Sequence, residues 1–374
     1  DIREPARKRA TGKPSGSKKR KSRNPIVRFA TAVFPQARDS GAEKARKALL
    51  LVAIAILIGT MSFLIWQIVG MNQAGKTNDE LASIGGVPMP DMSSSYQPPS
   101  HIANPSPDIA TTAGNRVPEV VDLTPVVNKP IEANWEELRK INPDIKAWVQ
   151  ITGTMLNDAV VQGSDNEYYL DHDFYGKESI SGTVFSTYLN DWNDPNDKNK
   201  ILFGHNMESG YFFAYVMHYV PDDLYSEPLS FYKTHPTVLM STPEGGSATY
   251  KIFAGILANT EPQYGEVFDY ITKTRFDGVD DFIEIMDRSW FFTDVDLTYG
   301  DELLTLSTCY WPLGKNVDTR WVLFARKVRD GESEEVNTSV ATRNYQAKLF
   351  DYYYDIKGGS WEGSVWDRSK LLSY

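Results

Sequence analysis

A chain of 374 residues with a single cysteine, Cys309, cannot close an internal disulfide. Its five histidines include no close pair beside that cysteine, so no zinc spacing is present and no metal or cofactor is expected. Internal repeats are missing as well. Charge is absent from one stretch above all: residues 48–70, ALLLVAIAILIGTMSFLIWQIVG, hold no Asp, Glu, Lys or Arg. Acidic residues are scarce before it. The first 47 residues hold 15 of the 39 Lys/Arg and 4 of the 49 Asp/Glu, leaving 24 basic against 45 acidic residues for the remainder.

What is present starts with that uncharged run. At ~1.5 Å per helical residue it is long enough for a ~30 Å hydrocarbon core, whereas the apolar part of a cleaved signal is only about 7–15 residues. Trp66 near its far end suits an interface. Lys44, Arg46 and Lys47 abut it on the N-terminal side, which places residues 1–47 in the cytoplasm as a basic tail, 48–70 as a transmembrane helix, and the rest outside the cell. Membrane lipids are thus an expected partner through helix 48–70, and the tail segment KPSGSKKRKSR is read as attracted to anionic lipid rather than to nucleic acid. The chain opens on Asp1 rather than Met, as expected of a piece of a longer product.

Residues 71–130 are expected to be a disordered Pro/Ser-rich linker. Pro88, Pro90, Pro98, Pro99, Pro105, Pro107, Pro118, Pro125 and Pro130 punctuate it, and it shows no apolar periodicity. Folding is expected from 131 to 330. Asn134 caps a short helix, with Glu137 three residues on and Pro143 closing it. Short β-type runs follow at 146–151, 158–162, 182–187, 200–204, 237–241, 249–258, 302–307 and 320–328. Eight such strands predict a mainly β fold, a closed or nearly closed barrel. A helical run, capped by Asp277, has Val279, Phe282, Ile283 and Met286 on one face. Residues 331–374 are aromatic enough to pack on the domain surface.

The cysteine ends the strand in LLTLSTC. It is a buried bystander, one half of an intermolecular bridge, or a reactive thiol that needs a base or cation beside it. Among the histidines, His205 in KILFGHNM follows a strand and a glycine, the same strand-end placement as Cys309. His101 lies in the linker, His172 in a carboxylate-rich loop, and His218 and His235 in structural surroundings. Arg320 opens the strand that follows Cys309.

TLSTC at 305–309, GHNM at 204–207 and the Arg of RWVLFAR together resemble the signature of the sortases, the cell-wall transpeptidases of Gram-positive bacteria. NPDIKAWVQI and YYLDHDFYGKESISGTVF are similar to class B in particular, over residues 131–330. The resemblance implies an eight-stranded sortase-type barrel with an N-terminal helix and a long helix between the last two strands. It implies that Cys309 attacks the threonine carbonyl of a C-terminal sorting signal on a secreted protein, of an Asn-Pro or related Pro-x-Thr kind. His205 would shuttle the proton, Arg320 would hold the oxyanion, and Ser307 and Thr308 would shape the groove. A peptidoglycan-precursor amine, or a pilin lysine, would resolve the thioacyl enzyme. With unperturbed pKa values of ~8.5 and ~6.5, a thiolate–imidazolium pair is only ~1% of the neutral pair. Other readings stay open: a cysteine peptidase releasing product to water, although papain-like enzymes place Cys before His, and a tethered binding module with an idle thiol.

Overall fold

A computed structural model describes residues 25–89, 125–207, 209–221, 229–276 and 278–372. The chain divides between Trp66 and Gln67 into two compact units. In the first, α1 (Pro25–Val33) is followed by the start of α2 (Gly41–Gly85). Lys47 ties them together, donating to Asp39 Oδ2 and to the Thr31 carbonyl, each at 2.8 Å. From Leu49 to Trp66 most of the apolar side chains of α2 stand exposed. Among the described residues, α2 is the one helix long and apolar enough to cross a membrane.

In the second unit α2 does not stop at Gly70. It runs through Gly85 into the stretch expected to be linker, and buries Ala74, Asn78, Leu81 and Ala82. The reason is visible in the residues: no proline intervenes before Pro88, and small or apolar residues recur at helical spacing. The helix then ends at Gly85, whose carbonyl accepts the Asn134 N–H at 2.7 Å. Residues 90–124 of the expected linker lie outside the described residues, as does Asp277. From Val126 to Ile131 the chain is already held on the domain, with Val126 N–H on the Thr234 carbonyl and Ile131 clasped by Ser241 and Ser247.

Asn134 caps α3 (Trp135–Ile141), its side chain accepting from Glu137 N. The barrel strands are β1 (Ile145–Gln150), β2 (Asn157–Val161), β3 (Phe185–Ser186), β4 (Asn199–Phe203), β5 (Thr237–Thr242) and β6 (Gly246–Asn259). Helix α4 (Ser230–Thr234) precedes β5, and α5 (Val279–Arg288) follows β6. After the two-residue strands β7 (Phe291–Phe292) and β8 (Leu297–Thr298) come β9 (Leu303–Cys309) and β10 (Thr319–Lys327). The eight barrel strands close in the order β1-β2-β3-β4-β9-β10-β6-β5, all antiparallel except β2–β3 and β4–β9.

The interior is filled by Val149, Val160, Leu202, Leu304, Leu306, Trp321 and Leu323 among others. The outer face of β4-β9-β10-β6 is buried too, because Phe282, Ile285 and Met286 of α5 lie on Phe253, Ile256, Val322 and Phe324. Burial on both faces explains why β6 and β10 are continuously apolar rather than alternating. Each such side chain contributes roughly 1.5–3 kcal/mol. One expectation is corrected here: α5 lies between the sixth and seventh barrel strands, not between the last two, which are joined by the loop 310–318.

The segment after β10 wraps the barrel. Its β11 (Thr342–Arg343) pairs with β7, its α6 (Asp351–Lys357) follows, and β12 (Leu371–Leu372) pairs with β8. Its own Phe350 and Trp366 are buried in the clusters that include barrel residues.

Candidate active site

Two pairings bring the sequence-predicted residues together. In the antiparallel pair of β9 and β10, Cys309 is directly opposite Arg320. On the other flank β4 runs parallel to β9 in the register Asn199↔Leu303 through Phe203↔Ser307. Continued by two residues, that register sets His205 beside Cys309. Hydrogen bonds across the strand ends extend it: Gly204 N–H donates to the Ser307 carbonyl at 3.3 Å, and Thr308 Oγ1 to the Gly204 carbonyl at 2.7 Å. Asn206 Nδ2 donates to the Cys309 carbonyl at 3.3 Å.

The loop bearing His205 is tightly closed. Phe213 N–H donates to the His205 carbonyl at 3.1 Å, and Asn206 forms a bridge with Phe212. Phe212 adopts φ 55° and ψ −132°, a costly conformation for a side chain that is not glycine. Gly204 is needed here because a Cβ would meet the Phe213 ring at 2.7 Å. The imidazole itself is held by Nε2, which donates to the Leu170 carbonyl at 2.8 Å. A carbonyl only accepts, so Nε2 carries the proton and Nδ1 is the ring nitrogen left for exchange.

Cys309 is half-buried, and burial pushes its thiol up. Arg320 pulls it back and Asp318 opposes Arg320. Arg320 is anchored at Nη1, which donates to Asp318 Oδ1 and to the Thr319 carbonyl. Asp318 is in turn pulled below the ordinary carboxylate range by Arg320 and Thr260, against the effect of burial. Beneath them Tyr270, fully buried, bonds Ser307 Oγ at 2.7 Å. Burial lifts its phenol to about 12.

Ser307 shares the Cys309 face of β9, but its hydroxyl is engaged by Tyr270. Thr308 departs from the expectation that it lines the groove. It is on the opposite face with Trp321, its register partner, and its hydroxyl holds the end of β4. Strand alternation dictates that outcome. Sequence reasoning missed Asp318, Tyr270 and Asn206. An acid two residues before the strand-opening arginine, as in DTR, was the one local signal available for Asp318. Among the described residues no cluster of His, Cys, Asp and Glu could hold a metal ion.

No family model matches the chain. Sortase B of Listeria monocytogenes is 30% identical over 187 residues, which are 49% of this chain and 70% of that protein. Sortase B of Staphylococcus aureus is 29% identical over 183 residues, 48% of this chain and 68% of that protein. Of the solved structures, Clostridium perfringens sortase B is 31% identical with a TM-score of 0.44, over 52% of this chain and 100% of the other. The Staphylococcus aureus sortase B–substrate complex is 28% identical with a TM-score of 0.43, over 52% and 84%.

Proposed function

Because the chain belongs to the class B sortases, and so to the cysteine transpeptidases, we propose that Cys309, His205 and Arg320 join secreted proteins to a cell-wall precursor. The observation that supports this is the pairing of β9, which has Arg320 opposite Cys309 on one side and, on the other, runs parallel to the strand that leads into His205.

His205 Nδ1 first takes the Cys309 thiol proton, and the resulting thiolate attacks the carbonyl carbon of the threonine in a C-terminal sorting signal, forming a C–S bond. Negative charge moves onto the carbonyl oxygen, where the Arg320 guanidinium supplies donors. The C–N bond then breaks, and the departing amine takes a proton from His205 Nδ1. The half that keeps the threonine stays on Cys309 as a thioester. An amine of a peptidoglycan precursor attacks that thioester and returns its proton to His205, and the thiolate leaves. Ser307, braced by Tyr270, supports the groove side of β9, and Thr308 keeps the end of β4 against β9.

We place the apolar run 48–70 in the membrane, the basic tail 1–47 in the cytoplasm and the barrel outside, since the Lys/Arg excess lies before the run. The test is to incubate the full chain in detergent micelles with a panel of sorting-signal peptides and amine acceptors, and to identify products by mass. Peptide joined to acceptor is expected. Only hydrolysed peptide at saturating amine would make the protein a peptidase, and no turnover of any peptide would leave a binding module.

A further inference from the structure

The segment after β10 reaches the active site through two layers of contacts. Its first anchor is the end of α5: Asn344 N–H donates to the Trp290 carbonyl at 2.8 Å and Lys348 N–H to the Asp287 carbonyl at 2.7 Å. From there Phe350 and the start of α6 press on the turn after β6. A Cβ at Gly265, where φ is +120°, would meet Asp351 N at 2.8 Å, so helix and turn touch through bare backbone. Beside it the rings of Tyr352 and Tyr264 pack with centroids 5.0 Å apart.

The second layer runs from that turn to the β9–β10 loop. Tyr264 O–H donates to the Asn316 carbonyl at 3.0 Å. Thr260 Oγ1 donates to both the carbonyl and Oδ2 of Asp318, each at 2.8 Å. Asn259 Nδ2 stiffens the turn by donating to the carbonyls of Glu261 and Gly265 at 2.9 and 3.2 Å. Asp318 is the residue that holds Arg320.

We infer that the segment 341–357 is an arginine-positioning brace: α6, through Tyr352 and Tyr264, fixes the loop 316–318 and with it the place of the Arg320 guanidinium beside Cys309. Tyr264 and Tyr352 are positioning residues. This inference rests on the role proposed above for Arg320. A brace of this kind matters because an oxyanion donor is effective only when held in place before the reaction. Arg320 is the group that lowers the thiol against burial, with Asp318 opposing, so a displaced loop also changes how readily Cys309 ionises.

The test uses the full chain in detergent micelles. Tyr264→Phe removes only the hydroxyl that reaches Asn316, and Tyr352→Ala removes the ring behind it. Ile356→Ala, on the exposed side of α6, is the control. Two readouts are taken: the rate of Cys309 alkylation by iodoacetamide across pH, and kcat and KM on a sorting peptide. Both tyrosine variants should shift the alkylation profile to higher pH and lower kcat on the order of tenfold with KM nearly kept, at unchanged melting temperature for Tyr264→Phe. Combined with Arg320→Lys, Tyr264→Phe should cost nothing more, since its effect passes through that guanidinium. An unmoved alkylation profile in both variants, or losses that add to those of Arg320→Lys, would overturn the brace. If the wild-type chain turns over no peptide, the transpeptidase reading falls, and the alkylation arm still decides this one.

Discussion

Arg320 and Cys309 face one another across β9 and β10, and Asp318 holds the arginine by Nη1. The thiol therefore feels a cation and, behind it, an anion, while burial keeps it protonated. The site is poised by opposing charges rather than by a permanently ionised nucleophile.

If Cys309 is the nucleophile, Cys309→Ala should abolish acyl-enzyme formation, observed as loss of the mass adduct with a sorting peptide. The side chain is half-buried at a strand end, so unfolding free energy should change by less than about 1 kcal/mol. Wild-type turnover by the alanine variant would remove the assignment.

Arg320→Lys keeps the charge and loses the planar fork. Acylation should slow by about 10²–10³, equivalent to ~3–4 kcal/mol, the usual loss for a missing oxyanion donor. His205→Ala should lose kcat with little change in peptide affinity. Stopped-flow acylation of both variants decides between these roles and a merely structural arginine, for which a change within about 0.5 kcal/mol is expected.

Asp318 raises the thiol, so Asp318→Asn should move the Cys309 alkylation profile to lower pH. The same change removes the partner of Arg320, and kcat should fall even as thiol reactivity rises. A parallel rise in both would show that Asp318 only restrains the nucleophile.

Asp158 on β2 is fully buried, accepts from Asn78 of α2 and from Asn157 N–H, and lies close enough to Tyr211 to raise its phenol. Burial lifts its carboxyl to about 7. The folded chain keeps a proton that the unfolded chain has lost above about pH 4, so stability should decline as pH rises from about 4 to about 7 and level off beyond. The whole decline is about 4 kcal/mol. Asp158→Asn should flatten that window in chemical unfolding followed by tryptophan fluorescence. A variant with the wild-type slope would assign the dependence elsewhere.

The catalytic candidates were legible because each stands at a strand end marked by local chemistry. Gly204 and His205 follow an apolar run, Cys309 ends one, and Arg320 begins one. The strands were legible for the same reason, as short β-branched and aromatic runs between turns. What stayed hidden depends on distant partners. Asp318 becomes a site residue only because β10 lies on β9, and Tyr270 because a long loop folds back over Ser307. The extension of α2 to Gly85 was masked by small residues such as Ala74 and Ala82, whose burial comes from the barrel rather than from their own hydrophobicity. A groove role for Thr308 is implied by the family resemblance alone, and alternation along the strand turns it away.

The parallel pairing of β4 with β9 has a consequence for timing. It joins Gly204 to Thr308, 104 residues apart, across a connection that includes β5, β6 and α5. Contacts so distant in sequence form slowly, because chain entropy is lost before the contact repays it. A newly made chain whose barrel is still open thus has its thiol, and Arg320 across the β9–β10 pair, but not His205 beside them. Chemical competence arrives together with barrel closure, so that latency before maturity is written into the strand order itself.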